Sequence, residues 1–83
     1  MKTSVSVIIP FKDRFDLVDR AVNSVLSQTF PQFEIILVND GSQSSLDRDY
    51  LNDPRFQYLE NPENVGPGRS RDNGLQVAKG KYV

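Results

Sequence analysis

The sequence predicts an α/β domain built on a parallel sheet, and three observations carry that prediction. Ile35, Ile36, Leu37 and Val38 form an unbroken apolar run, which suits a strand buried on both faces. An earlier run, Val5 to Ile9, is rich in β-branched residues, and the stretch between the two repeats apolar residues at helical steps. The alternation then continues as β-α-β-α-β-α-β, with connections long enough to bring each strand back parallel to the last.

Taken in order, the first strand spans Val5 to Ile9 and stops at Pro10. Asp13 is placed to cap the following helix, with Asp16 favouring its first turn. Phe15, Val18, Ala21, Val22, Val25 and Leu26 make its apolar face, and Pro31 closes the helical region. The second strand, from Phe33 to Val38, runs into Asn39-Asp40-Gly41-Ser42, a turn cluster. Leu46 to Leu51 reads as a short helix capped by Ser44 or Ser45, and Asp53-Pro54 as a turn. Phe56 to Leu59 is the third strand, Asn61-Pro62-Glu63-Asn64 a second turn, and Pro67 to Ala78 a helix stopped by Gly80. Lys81-Tyr82-Val83 begins a fourth strand, so the chain reads as cut rather than finished.

Composition narrows the function. At 83 residues this is one small domain, burying about 60–65% of its unfolded surface. A net charge of −1, with lysines and arginines scattered among acids, argues against nucleic acid as a partner. Without cysteine or histidine there is no disulfide, no Cys–His zinc site and no histidine acid–base chemistry, which fits a cytoplasmic protein. The apolar run at Val5 to Ile9 is too short for a signal peptide or a membrane span.

Asp40 lies at the carboxyl end of the buried strand, where open α/β sheets hold ligands. Two readings are open for it: a turn residue, or a carboxylate accepting a hydrogen bond from a ligand. A dinucleotide would require a glycine-rich turn after the first strand, and Pro10-Phe11-Lys12-Asp13 contains no glycine. Gly66-Pro67-Gly68-Arg69-Ser70-Arg71 opens a helix, so it reads either as an anion site or as a tight turn with solvated arginines. Lys12 meets a phosphate or sits in water. Asp47-Arg48-Asp49 has the form of a divalent-cation D-x-D but lies in an irregular stretch and reads as solvated surface.

Three blocks carry a resemblance: VSVIIPFKDR, AVNSVLSQTFPQFEIILVNDGS and NVGPGRSRDNGLQVAKGKYV. They cover nearly the whole chain, and on them it resembles the amino-terminal part of family 2 glycosyltransferases. The resemblance implies a GT-A fold, truncated here to a Rossmann-like three-layer parallel sheet with strand order 3-2-1-4. Residues 1–83 would be its nucleotide-sugar-binding part. It also implies an inverting transfer of sugar from a nucleotide-sugar, usually a UDP-sugar, to an acceptor.

Position by position, Pro10 and Phe11 match the loop at the nucleobase, with Asp13 where the family often has Asn. Asp40, followed by Gly41, matches the carboxylate that accepts the uracil N3–H, and Asn39 stands where Asp is frequent. Arg71 matches the arginine of an A-R-N motif that reads Ser70-Arg71-Asp72 here, and Gly74 the glycine that follows. In the family a D-x-D binding Mn²⁺ or Mg²⁺ comes a few residues after the block matching Ala78 to Tyr82, and this chain ends at Val83. The expectation is that the full-length enzyme uses the metal, working in the cytoplasm or at the cytoplasmic face of the membrane. This chain alone is expected to contain no catalytic residue, bind no metal and transfer no sugar. The alternative is a stand-alone, non-catalytic nucleotide-binding or interaction module. In either case the apolar edge at Val5 to Ile9 invites self-association.

Overall fold

The computed structural model describes residues 5–28 and 32–82, with side chains as far as residue 80. In chain order the elements are β1 (Val5–Phe11), α1 (Phe15–Leu26), β2 (Phe33–Asp40), a 3₁₀ turn (Asp49–Asn52), β3 (Phe56–Asn61), α2 (Pro67–Val77) and β4 (Lys81–Tyr82). The strands form one parallel sheet in the order β3-β2-β1-β4, as the resemblance implies. Strand β2 sits at its centre, with Ile8 opposite Ile36 on one side and Leu37 opposite Tyr58 on the other.

Every residue of β2 is buried, and the two-residue period of a strand divides them between two layers. Ile35 and Leu37 pack with Val18 and Val22 of α1, together with Phe33, Leu46 and Phe56. Ile36 and Val38 pack with Ile8 on the opposite face, against Leu59, Leu75, Val77 and Ala78. The α1 layer holds most of the apolar bulk. The buried residues of α2 are Ser70 and Gly74, and an added Cβ at Gly74 would lie 2.6 Å from Ile8 Cγ2. That helix therefore lies close to the sheet through small residues and is held by something other than a broad apolar face.

Several local expectations change. Strand β1 continues through Pro10, which pairs with Val38. Because β4 reaches only Val5 and Ser6, β1 has a neighbour on one side alone at Pro10, where a missing N–H is tolerated. Among the described residues, β4 pairs with β1 only at Val5 and Ser6. Asp13 does not cap α1; Arg14 holds that position without a side-chain cap, with its carbonyl accepting from Leu17 and Val18 N–H. Asp13 and Arg14 both take the left-handed conformation, at φ 56° and 45°, which turns the Asp13 carboxylate away from the helix.

The short helix expected at Leu46 to Leu51 shrinks to one 3₁₀ turn, since Leu46 is drawn into the core and its N–H donates to Tyr58 Oη at 2.9 Å. Strand β2 runs on through Asn39 and Asp40, β3 through Asn61, and α2 ends at Val77. The expected stop at Pro31 lies outside the described residues.

What holds the carboxyl end of α2 is Glu34, a buried carboxylate at the start of β2. Its Oε2 accepts from Ser6 Oγ and from the Lys79 N–H, each at 2.6 Å, and its Oε1 accepts from Gln57 Nε2 at 2.8 Å. Ser6 Oγ in turn accepts the Gly80 N–H at 2.9 Å, fixing the path into β4. Burial favours the neutral acid, but the donors from Ser6, Lys79 and Gln57 outweigh it and hold Glu34 below the ordinary glutamate value.

Because the folded-state pKa is depressed, this contribution is complete above the ordinary value of 4.5 and disappears as pH falls through the lower folded value. Urea denaturation is expected to show declining stability below about pH 4.5. Glu34→Gln would lose roughly 1–3 kcal/mol at neutral pH, because an amide N–H₂ would then face donors. In that variant the part of the acid slope due to Glu34 would be absent.

Candidate functional site

Three loops meet beyond the carboxyl ends of β1, β2 and β3, where open α/β sheets accept ligands. Between them lies a cavity of about 300 Å³ lined by Pro10, Phe11, Lys12, Asp40, Asn64 and Pro67. Strand β1 delivers Pro10 and Phe11, β2 delivers Asp40, and the β3–α2 loop delivers Asn64 and Pro67. Phe11 is steadied by an edge-on contact with Phe15, with ring centroids 5.7 Å apart.

Asp40 is buried and fully engaged. Its Oδ1 accepts from Val65 N–H at 2.8 Å and Asn61 Nδ2 at 3.1 Å, and its Oδ2 accepts from Gly66 N–H at 2.9 Å. The fully buried Ser70 hydroxyl adds a further donor. Burial favours the neutral acid, but Val65, Asn61, Gly66 and Ser70 together hold the carboxyl below the ordinary aspartate value. Asn61 extends the grip into α2, donating from Nδ2 to Ser70 Oγ and accepting from Asn73 Nδ2, each at 3.1 Å. The β3–α2 loop and the start of α2 are thus tied to the end of β2 through one carboxylate.

Gly41 makes that approach possible. At φ +74°, an added Cβ would stand 2.6 Å from Asn64 N and 2.7 Å from Glu63 C, both backbone atoms. Asp13 bridges to the same region from the other side: its N–H donates to Ser42 Oγ at 2.5 Å, and its Oδ1 accepts from Gln43 N–H at 3.1 Å. Asp13 therefore braces the cavity rim without lining it. Asn39 explains its own departure from the more frequent Asp. Its Nδ2 donates to Tyr58 Oη at 2.9 Å and to the Ser44 carbonyl at 3.2 Å, and a carboxylate could make neither bond.

Lys12 is exposed at the cavity and has no hydrogen bond or ion pair among the described residues. Arg71 is exposed on α2, does not line the cavity and likewise has no partner among the described residues. The leading N–H groups of α2, those of Gly68 and Arg69, have no intrahelical acceptor, and no side chain caps them. Within Asp47-Arg48-Asp49, Arg48 turns to Asp19, with Nε 3.0 Å from Oδ1, and Tyr50 Oη donates to the same oxygen at 2.8 Å. Asp47 and Asp49 remain exposed, and no group of three acidic, histidine or cysteine side chains that could hold a metal occurs among the described residues. These residues do not fit a divalent cation.

Of the six residues that sequence reasoning assigned to the nucleotide, the fold brings Pro10, Phe11 and Asp40 together at the cavity, whereas Asp13, Gly41 and Arg71 do not line it. Sequence reasoning missed Asn61, Asn64 and Ser70. Asn61 and Asn64 were visible only as turn formers, and Ser70 only as a substitute for alanine in a motif; the bonds of Asn61 and Ser70 to Asp40 connect elements distant in sequence, whereas Asn64 accepts locally from Gly66 N–H.

Gly41→Ala is expected to cost roughly 2–4 kcal/mol, combining a disfavoured backbone conformation with a clash against immobile backbone. Asp40→Asn should cost about 1–3 kcal/mol, because one of its two oxygens becomes an N–H₂ donor facing other donors. Chemical denaturation with matched slopes would measure both.

Comparison with known proteins adds to this geometry. Residues 6–83 match the family described as glycosyl transferase family 2. An uncharacterized glycosyltransferase of Rickettsia bellii is 40% identical over 82 residues, covering 95% of this chain and 12% of that protein. A cholesterol galactosyltransferase of Borreliella burgdorferi is 39% identical over 85 residues, covering 99% of this chain and 24% of that one. The crystal structure of S. aureus TarS 1-349 superposes with a TM-score of 0.81 at 28% identity, covering 98% of this chain and 27% of that chain. The chain thus spans between an eighth and about a quarter of the length of these three proteins. Its parallel α/β sheet, and a family match that runs from β1 to its last residue, make this chain a member of glycosyl transferase family 2.

Proposed function

We propose that this chain forms the donor-nucleotide half of a glycosyltransferase site, taking a UDP-sugar whose sugar is transferred with inversion by the whole protein. The observation that carries the reading is the cavity of about 300 Å³ joining Pro10 and Phe11 to Asp40 at the carboxyl ends of adjacent parallel strands. That volume is at the lower end for ligand pockets and suits a nucleoside rather than a whole nucleotide-sugar. The uracil lies against Pro10 and Phe11 with its N3–H toward Asp40. The diphosphate runs toward Lys12 and the uncapped start of α2, where side-chain charge and helix dipole act together. Arg71 would meet the nucleotide from α2. The reading assigns nucleotide binding, and not the transfer step, to this chain alone.

Titration of the chain with UDP, followed by amide chemical shifts, tests the reading. Saturable binding is expected, with the largest shifts at Phe11, Lys12, Asp40 and Asn64. Lys12→Ala, which breaks no side-chain bond among the described residues, should weaken UDP roughly three- to tenfold while leaving uridine unchanged. A folded chain that shows no saturable binding of UDP overturns the proposal. We further propose pairing between two copies of the chain along β1, whose described partners on the β4 side are limited to Val5 and Ser6. Sedimentation velocity is expected to show concentration-dependent association, and a single monomeric species at all concentrations would contradict it.

A further inference from the structure

We propose that Asn64 is a hand-over residue, freeing one oxygen of Asp40 for the nucleotide by taking a hydrogen bond from it. The inference rests on the nucleotide reading above and starts from a conflict within it. A carboxylate offers about four acceptor positions. In Asp40 the donors Val65 N–H, Asn61 Nδ2, Gly66 N–H and the Ser70 hydroxyl already fill them. A ligand N–H can reach Asp40 only if one of these donors lets go, and a buried donor left without an acceptor is costly.

One of them has somewhere to go. The Gly66 N–H is shared between Asp40 Oδ2 at 2.9 Å and Asn64 Oδ1 at 3.0 Å. The second contact is an Asx turn, in which a side-chain oxygen accepts the N–H two residues on. Each of the other donors has Asp40 as its acceptor or ties α2 into the core. Gly66 also sits at φ +92°, a conformation glycine takes without steric cost, with no atom within 4 Å of an added Cβ. Asn64 and Asp40 line the same cavity, so the exchange takes place where the ligand arrives. Transferring the Gly66 N–H fully to Asn64 opens Oδ2 of Asp40 and leaves no protein donor unsatisfied. Asn64 thus acts as a positioning residue, working through Gly66 and Asp40 rather than as a direct anchor of the base.

Asn64→Ala and Asn64→Ser, with UDP as the probe, test this by amide chemical shifts and by thermal melting. In the unaltered chain, UDP should move the Gly66 amide resonance on saturation. Asn64→Ala should weaken UDP about fivefold, because Gly66 then has no second acceptor. Asn64→Ser, whose hydroxyl accepts in the same turn more weakly, should recover part of that loss. Uridine 3-methylated diphosphate, lacking the N3–H, should leave the Gly66 resonance unmoved. UDP binding unaffected by Asn64→Ala, or a Gly66 resonance that stays still on saturation with UDP, overturns the hand-over while leaving the nucleotide reading intact. Absence of UDP binding to the unaltered, folded chain overturns the nucleotide reading itself.

Discussion

A buried carboxylate at each end of one strand face organises this molecule. Along β2, the alternate residues Glu34, Ile36, Val38 and Asp40 belong to the layer that meets α2. The two apolar side chains in the middle supply packing, and the two carboxylates grip the backbone at either end of the helix. Asp40 receives Val65 and Gly66 N–H before α2 begins, and Glu34 receives Lys79 N–H after it ends. A helix whose own buried residues are Ser70 and Gly74 has little apolar surface to hold it. Charge-assisted bonds to buried carboxylates, each stronger than a neutral hydrogen bond, provide what packing does not.

The opposite layer is built on different terms. There Ile35, Leu37, Val18, Val22, Phe33, Leu46 and Phe56 make a continuous apolar cluster, and α1 has the broad apolar face that α2 lacks. Polar contacts on that side lie at the margin: Asp19 joins α1 to Arg48 and Tyr50, and Tyr58 Oη gathers Asn39, Leu46 N–H and Glu60. The two layers therefore differ in how they respond to change. The α1 side is rigid through close packing. The α2 side depends on a few directional bonds that a ligand donor can compete for, and the cavity opens beside those bonds.

That arrangement gives Asp40 two tasks. It positions the β3–α2 loop, and under the proposed function it also receives the nucleobase. The same burial that makes its bonds strong also makes an unsatisfied donor expensive, so a second acceptor at Asn64 has consequences out of proportion to its exposed position. Gly41 and Asp13 complete the frame by bringing the three loops within hydrogen-bonding distance, at the cost of left-handed backbone at Asp13, Arg14 and Gly41.

The order of strands and helices was legible from the sequence because apolar periodicity is local: Ile35 to Val38 announce a strand buried on both faces, and Val18 and Val22 one face of a helix. The position of Asp40 at a strand end, and its neighbourhood with Pro10 and Phe11, followed from that order together with the family motifs. What the sequence could not decide was which way polar groups turn. Asp13 looked like a helix cap and became a brace to Gln43, Leu46 looked like part of a helix and entered the core, and Glu34 carried no signal at all. Each outcome depends on partners twenty-three or more residues away, or on packing that exists only once the sheet has formed. A residue type shows that a hydrogen bond is available; only the assembled layers determine which donor or acceptor it meets.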